Sequence, residues 1–176
     1  MLSKLRGRAL VLAAFTLLLA VVAPSAGARD GSRDANASLD GYQEYPLTLS
    51  TTGHGRFRAR IRENSIEYTL SYADLEGATT IQAHIHLGRP STLGGVSVFL
   101  CGGAPPNSNK PACPPKEGTV SGTIVPSDVI GPANQGISPG EFGELVRAIR
   151  ASATYANVHT DKYPGGEIRG RILIND

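Results

Sequence analysis

Three histidines in two segments carry the side chains best suited to chemistry in this sequence. His84 and His86 lie two residues apart in Ile81–Leu87, where apolar and polar residues alternate. This alternation predicts a β-strand, so both imidazoles share one face, about 7 Å apart. His159 lies in a second alternating segment, on the face that also carries Asn157. The functional prediction depends on whether the three imidazoles meet.

Two kinds of site can be built from these rings. Neutral imidazole binds copper and zinc well, so the three histidines are candidate ligands for either metal. The alternative, which the sequence favours, is a structural hydrogen-bond network that joins the same rings to Asn157, Glu167 and Arg169. Three ring nitrogens able to converge on a point about 2 Å away would favour the metal. Occupation of every ring nitrogen by Glu167 and Arg169 would favour the network.

A catalytic site has weaker support. A pairing of Glu167 with His159 would supply an acid and a base, but nothing supplies a nucleophile or a substrate pocket. The sequence contains no Gly-x-Ser-x-Gly elbow of the hydrolase type. We therefore expect a binding or structural protein rather than an enzyme.

The N-terminal segment has the pattern of a secretory signal peptide. A basic start is followed by the apolar run Ala9–Ala23 and the small residues Ala26–Ala28. We predict that residues 1–28 are removed, with an uncleaved N-terminal anchor as the alternative. The mature protein is then secreted or extracytoplasmic, in the periplasm or cell envelope if the source is bacterial. No later apolar run is long enough to span a membrane, so no membrane insertion is expected after removal.

Removal of this segment changes the charge of the protein. The net charge of +2 falls to about −1, because three basic residues and no acidic ones lie in residues 1–28. Binding to nucleic acid therefore has no support from composition. About 148 residues remain, enough for one domain with a hydrophobic core. We expect a flexible N-terminus over 29–35 and a single β-sandwich domain over 36–174.

The two cysteines fit an exported protein. Cys101 and Cys113 flank a segment rich in glycine, proline and asparagine that has little to bury. A disulfide would close this loop and stabilise the fold by roughly 3 kcal/mol on the chain-entropy model. A pair of thiol metal ligands is the less favoured alternative.

Alternating segments along the rest of the chain predict an all-β domain. In residues 56–62 the apolar positions alternate with four arginines, and residues 66–72 return as the second strand of a hairpin. We interpret the arginines as charge protection of an edge strand rather than as an anion or polysaccharide site. Residues 167–174 predict one further strand, in which isoleucines point inward and Glu167, Arg169 and Arg171 point outward. About seven such strands indicate an antiparallel β-sandwich of the immunoglobulin-like or superoxide-dismutase-like kind.

One short helix is predicted to cover the sandwich. Residues 138–141 read Ser-Pro-Gly-Glu, which has capping-box spacing with proline at the first helical position. An apolar stripe follows, formed by Phe142, Leu145, Val146 and Ile149. The helix should therefore end near Arg150.

Four segments taken together resemble the CHRD domain, which is named from chordin, an extracellular antagonist of bone morphogenetic proteins. They are Leu39–Pro46, Ala83–Gly88, Asn157–Thr160 and Pro164–Gly170, and the resemblance covers roughly residues 36–174. Stand-alone copies of this domain occur in bacterial secreted proteins. The resemblance implies an all-β extracellular domain whose partner is an unidentified extracellular protein or matrix component. It gives no mechanism for the segment around Gln43 and Glu44, and Arg171 stands where the family often has glutamine.

The paired histidines of one strand are also similar to the copper half of copper/zinc superoxide dismutase. The chain has only four histidines, and the bridging histidine and zinc ligands of that enzyme have no match. Dismutase activity is therefore not predicted. The function expected from the sequence is a secreted CHRD-type binding or structural module, with a copper- or zinc-binding protein as the alternative.

Overall fold

The computed structural model describes residues 33–103 and 109–175 of the chain. In these ranges the elements are β1 (Arg33–Asp40), β2 (His54–Ile61), β3 (Ile66–Ala73), β4 (Thr80–Leu87), β5 (Gly95–Gly102), β6 (Gly118–Ile124), α1 (Phe142–Arg150), β7 (Thr154–Thr160), β8 (Ile168–Arg171) and β9 (Leu173–Ile174). The predicted signal peptide lies outside the described residues. Of the segment 29–35 only residues 33–35 are described, and they already belong to β1. No helix within the described ranges is long and apolar enough to cross a membrane.

The strands form one strongly curved antiparallel sheet. Its order is β5-β4-β7-β8-β1-β2-β3-β6, with β9 paired to β1. The two ends of the sheet lie close to each other. The Tyr68 hydroxyl on β3, the strand beside terminal β6, donates a 2.6 Å hydrogen bond to the Leu100 carbonyl on β5, the other terminal strand. The fold is a nearly closed antiparallel β-sandwich with one short helix, which confirms the predicted fold class.

The core lies between the curved halves of the sheet and follows the predicted alternation. On β2 the residues Phe57, Ala59 and Ile61 are buried, and the residues between them are exposed. Fully burying one such large side chain contributes about 1.5–3 kcal/mol. The predicted disulfide between Cys101 and Cys113 is confirmed, and it ties the end of β5 to the segment before β6. Such a bridge fits an oxidising compartment.

The arginines of β2 do not protect an edge. β2 pairs with β1 on one side and with β3 on the other, so it is a central strand and the edge interpretation is wrong. Arg56, Arg58 and Arg60 project from the outer face of the sheet, where Arg60 pairs with Asp34 at 3.2 Å. Alternation identifies the outward face of a strand but not its place in the sheet, which depends on pairing with distant segments.

The helix begins later than its sequence signals predicted. α1 starts at Phe142, and residues 138–141 form a turn before it. Glu141 still supplies one half of the predicted capping box, because its carboxylate accepts a 2.6 Å hydrogen bond from the Ser138 backbone N–H. The apolar stripe is buried as predicted, so α1 covers the core, and the helix ends at Arg150 as expected.

Candidate metal centre

The three predicted histidines meet. His84 and His86 lie on β4, and His159 lies on the adjacent β7, where it pairs with Gln82 and is therefore diagonal to His84. The ring centroids of His84 and His159 are 4.9 Å apart, those of His84 and His86 are 5.3 Å apart, and those of His86 and His159 are 6.0 Å apart. We call these three residues the histidine cluster.

The histidine cluster is buried, and its rings are therefore held in the neutral form. His84, His86 and His159 are 2%, 7% and 6% exposed. Burial, together with the neighbouring imidazoles of His159 and His86, lowers the pKa of His84 to about 2. Burial lowers the pKa of His86 to about 4, against an opposing hydrogen bond to the Gly94 carbonyl, and it also lowers the pKa of His159. Neutral rings keep a nitrogen lone pair that can bind a metal.

Backbone carbonyls determine which nitrogen carries the hydrogen in two of the rings. Nδ1 of His86 lies 2.9 Å from the Gly94 carbonyl, and Nδ1 of His159 lies 3.1 Å from the Pro164 carbonyl. A carbonyl oxygen only accepts, so both Nδ1 atoms donate and both Nε2 atoms carry lone pairs. Such outer hydrogen bonds orient metal-ligating histidines in known sites.

Two ring nitrogens of the cluster have no hydrogen-bond partner. Nε2 of His84 and Nε2 of His86 are buried and unpartnered, while Nδ1 of His84 lies 3.2 Å from Nε2 of His159. One potential ligand nitrogen from each ring lies within 4.8 Å of the others. Two nitrogens 3.2 Å apart that each bind an ion at about 2.05 Å subtend an angle of roughly 100°, which is close to tetrahedral.

Two aromatic rings that the sequence did not single out enclose the cluster. Tyr155 stacks parallel on His86 at 4.7 Å, and Phe99 meets His84 edge-on at 4.4 Å. Tyr155 shares its face of β7 with Asn157 and His159, so the period of two that selected those residues also points to Tyr155. Phe99 pairs with His84 across β4 and β5, which no local pattern reveals.

Asn157 connects the neighbourhood of the cluster to the segment around Gln43. Its Nδ2 donates to the Glu44 carboxylate at 2.7 Å and to the Ile168 carbonyl at 2.9 Å. Glu44 is 8% exposed, and burial raises the pKa of its carboxyl to about 7 although the hydrogen bond from Asn157 lowers it. The Gln43–Glu44 segment thus has a structural role that the sequence left unexplained.

Glu167 was predicted to face outward near His159, but it lies in a separate buried cluster. Its carboxylate is 0% exposed and accepts four hydrogen bonds. Two come from the Thr51 and Thr160 hydroxyls at 2.9 and 2.7 Å, and two come from the backbone N–H groups of Glu76 and Gly77 at 2.6 and 3.3 Å. We call this group the Glu167 cluster. It holds the loops that follow β1 and β3 against the start of β8.

Arg169 is also buried instead of pointing outward, and it makes no hydrogen bond to the imidazoles, although its charge helps to lower the pKa of His86. Its guanidinium lies 3.5 Å from the centre of the Tyr155 ring and donates to the Arg89 carbonyl at 3.0 Å. Across residues 33–103 and 109–175, no hydrogen bond joins Arg169 or Glu167 to a ring of the histidine cluster. The ring nitrogens are thus left to one another and to backbone carbonyls.

The family model described as the CHRD domain matches residues 35–172, which is most of the chain. Comparison with curated proteins and with solved structures gives no match. The matched range contains all three members of the histidine cluster.

Proposed function

We propose that this chain, which belongs to the CHRD domain family, is an extracytoplasmic domain that binds a copper ion through His84, His86 and His159. Membership of the family indicates a binding or structural module. The proposed copper ion would be what this module binds. The observation that carries the proposal is the set of three buried imidazoles with ring nitrogens close together, among them the unpartnered Nε2 of His86. A structural network would have left few such nitrogens without partners.

The hydrogen bonds around the rings support one choice of ligand atoms. His86 and His159 use Nδ1 on backbone carbonyls, so each offers Nε2. His84 offers Nδ1, which already lies 3.2 Å from Nε2 of His159. Binding then requires the His84 proton to move from Nδ1 to Nε2, while the other two rings keep their tautomers.

The donor set favours copper over zinc. No carboxylate or thiolate belongs to the cluster, because Glu167 accepts its hydrogen bonds from other residues and both cysteines form the disulfide. Nitrogen sites bind Cu²⁺ more tightly than Zn²⁺ in the usual order of divalent metals. A monovalent copper ion would also carry less uncompensated charge into a buried site. Zinc is therefore the competitor that we expect to bind more weakly.

Copper stoichiometry of matched histidine variants tests the proposal. The purified mature protein should bind one copper per chain, and His159→Gln should lower its affinity at least about 100-fold. His54→Gln is the control, since His54 is exposed and lies outside the cluster. The proposal fails if the wild-type protein binds no copper, or if the two variants lose copper equally.

A further inference from the structure

Arg169 is a buried cation that forms no salt bridge among the described residues, although its charge acts on the Glu44 carboxyl nearby. Arg169 is only 3% exposed. None of the ion pairs among the described residues includes it. Its one side-chain hydrogen bond in the described part of the chain goes to the Arg89 carbonyl. A guanidinium has five N–H donors, so this side chain can donate further hydrogen bonds besides the one to Arg89.

Arg169 lines a cavity of about 300 Å³. Buried Glu44 and Tyr155 line the same cavity, as does Tyr42, which is 67% exposed and so connects the cavity to the surface. Tyr45, which is 38% exposed, adds a second aromatic ring. A concave site with a few buried polar groups and an aromatic wall is typical of small-molecule binding. Its volume is at the small end of the usual range.

The cavity is held open by fixed side chains. Gln43 is anchored by hydrogen bonds from its backbone N–H and from Nε2 to the Asp40 carboxylate, at 3.1 and 2.9 Å. Glu44 is anchored by Asn157. The wall of the cavity is therefore organised before a ligand arrives, which lowers the entropic cost of binding.

The charges of the lining select a monoanion. Arg169 and Arg171 contribute two positive charges, and Glu44 contributes at most one negative charge. A carboxylate matches the planar guanidinium, whereas a phosphate dianion would bring a second negative charge towards Glu44. We propose that this cavity binds a small aromatic carboxylate, with its carboxylate on Arg169 and its ring against Tyr42 and Tyr45. The site does not depend on the proposed metal, because none of the three histidines lines it.

Benzoate and its neutral analogue benzamide test the proposal in metal-free protein, followed by backbone amide NMR. Benzoate should shift the amides of lining residues such as Glu44 and Ser91 and should bind about 10-fold or more tightly than benzamide. Inorganic phosphate should bind more weakly than benzoate. Equal binding of benzoate and benzamide, tighter binding of phosphate, or no shift by benzoate at millimolar concentration would overturn the assignment.

Variants locate the site. Arg169→Gln should abolish the preference for benzoate over benzamide, and Arg58→Gln, on the outer face of β2, should leave it unchanged. If Arg169→Gln does not fold, Tyr42→Ser decides, because this exposed residue can be changed without disturbing the core. Tyr42→Ser should weaken benzoate several-fold, and unchanged affinity would place the ligand elsewhere. Failure of benzoate binding would leave the copper proposal untouched.

Discussion

Two buried polar clusters meet at β7 and differ in how far their hydrogen-bonding capacity is used. Thr160 donates to Glu167, while its neighbour His159 belongs to the histidine cluster. The Glu167 carboxylate accepts four hydrogen bonds, two on each oxygen. In the histidine cluster two ring nitrogens, on His84 and His86, have no partner.

The difference separates a structural role from a binding role. A buried carboxylate with four donors is fully compensated, and it stabilises the loops that supply those donors. A buried nitrogen without a partner costs about 1–3 kcal/mol. For Nε2 of His86, an ion bound to the lone pair would remove this cost. We interpret the Glu167 cluster as a structural element and the histidine cluster as the candidate binding site.

The largest effect on stability is expected from Glu167→Gln. The amide has nearly the same shape as the carboxylate. Its NH₂ group, however, is a donor and would face a backbone N–H group that now donates to the carboxylate. We expect a loss of about 4 kcal/mol in the free energy of unfolding, or failure to fold, measured by urea denaturation. Copper stoichiometry of the folded fraction should stay at one per chain. A loss below about 1 kcal/mol in the free energy of unfolding would show that the Glu167 cluster contributes little to the stability of the fold.

A smaller effect is expected from acid on the metal-free protein. The histidine pKa values are lowered by folding, so the stabilisation from these rings is present above about pH 6.5 and is lost as pH falls towards the folded values. Glu44 has the opposite effect on stability, because folding raises the pKa of its carboxyl to about 7. The stabilisation from this carboxyl is present at low pH and is lost as pH rises through about 7. Three imidazoles outweigh one carboxyl.

We therefore expect a net loss on the order of 2 kcal/mol between about pH 7 and about pH 5, measured by urea denaturation at each pH. Glu44→Gln should make the loss steeper, since it removes the opposing group. Stability that is constant or rises over this range would contradict the neutral, buried state of the rings.

The smallest effect on stability is expected from His86→Phe. Phenylalanine keeps the stacking on Tyr155 and removes the unpartnered Nε2, but it loses the hydrogen bond to the Gly94 carbonyl. These terms nearly cancel, so the free energy of unfolding of the metal-free protein should change by less than about 1 kcal/mol. Copper affinity should nevertheless fall at least about 100-fold. A large loss of stability with copper binding intact would reverse the roles assigned to the two clusters.

Much of the fold could be predicted because alternation records which face of a strand is apolar. The alternation placed His84 and His86 on one face of their strand and assigned Phe57 to the buried face and Arg56 to the exposed face of another. It also predicted the antiparallel sandwich. The helix stripe and the disulfide followed from equally local patterns, confirmed for α1 and for Cys101–Cys113.

The rest depends on what covers each face, which local pattern does not record. Alternation assigned Glu167 and Arg169 to an outward face, but both are buried, Glu167 under loops that supply its donors and Arg169 against Tyr155. Residues 167–174 were predicted as one strand, and the structure divides them into β8 and β9 at Ile172. The free nitrogens of His84 and His86 follow from three-dimensional neighbours alone.

Imidazole nitrogen NMR of the protein titrated with Cu(I), which is diamagnetic, tests the central claim most directly. We predict that the ring signals of His84, His86 and His159 change together and saturate at one equivalent, while those of exposed His54 do not change. The His84 ring should also exchange a hydrogen on Nδ1 for one on Nε2. If the three rings do not respond together, or if His54 responds as they do, the histidine cluster is not a copper site.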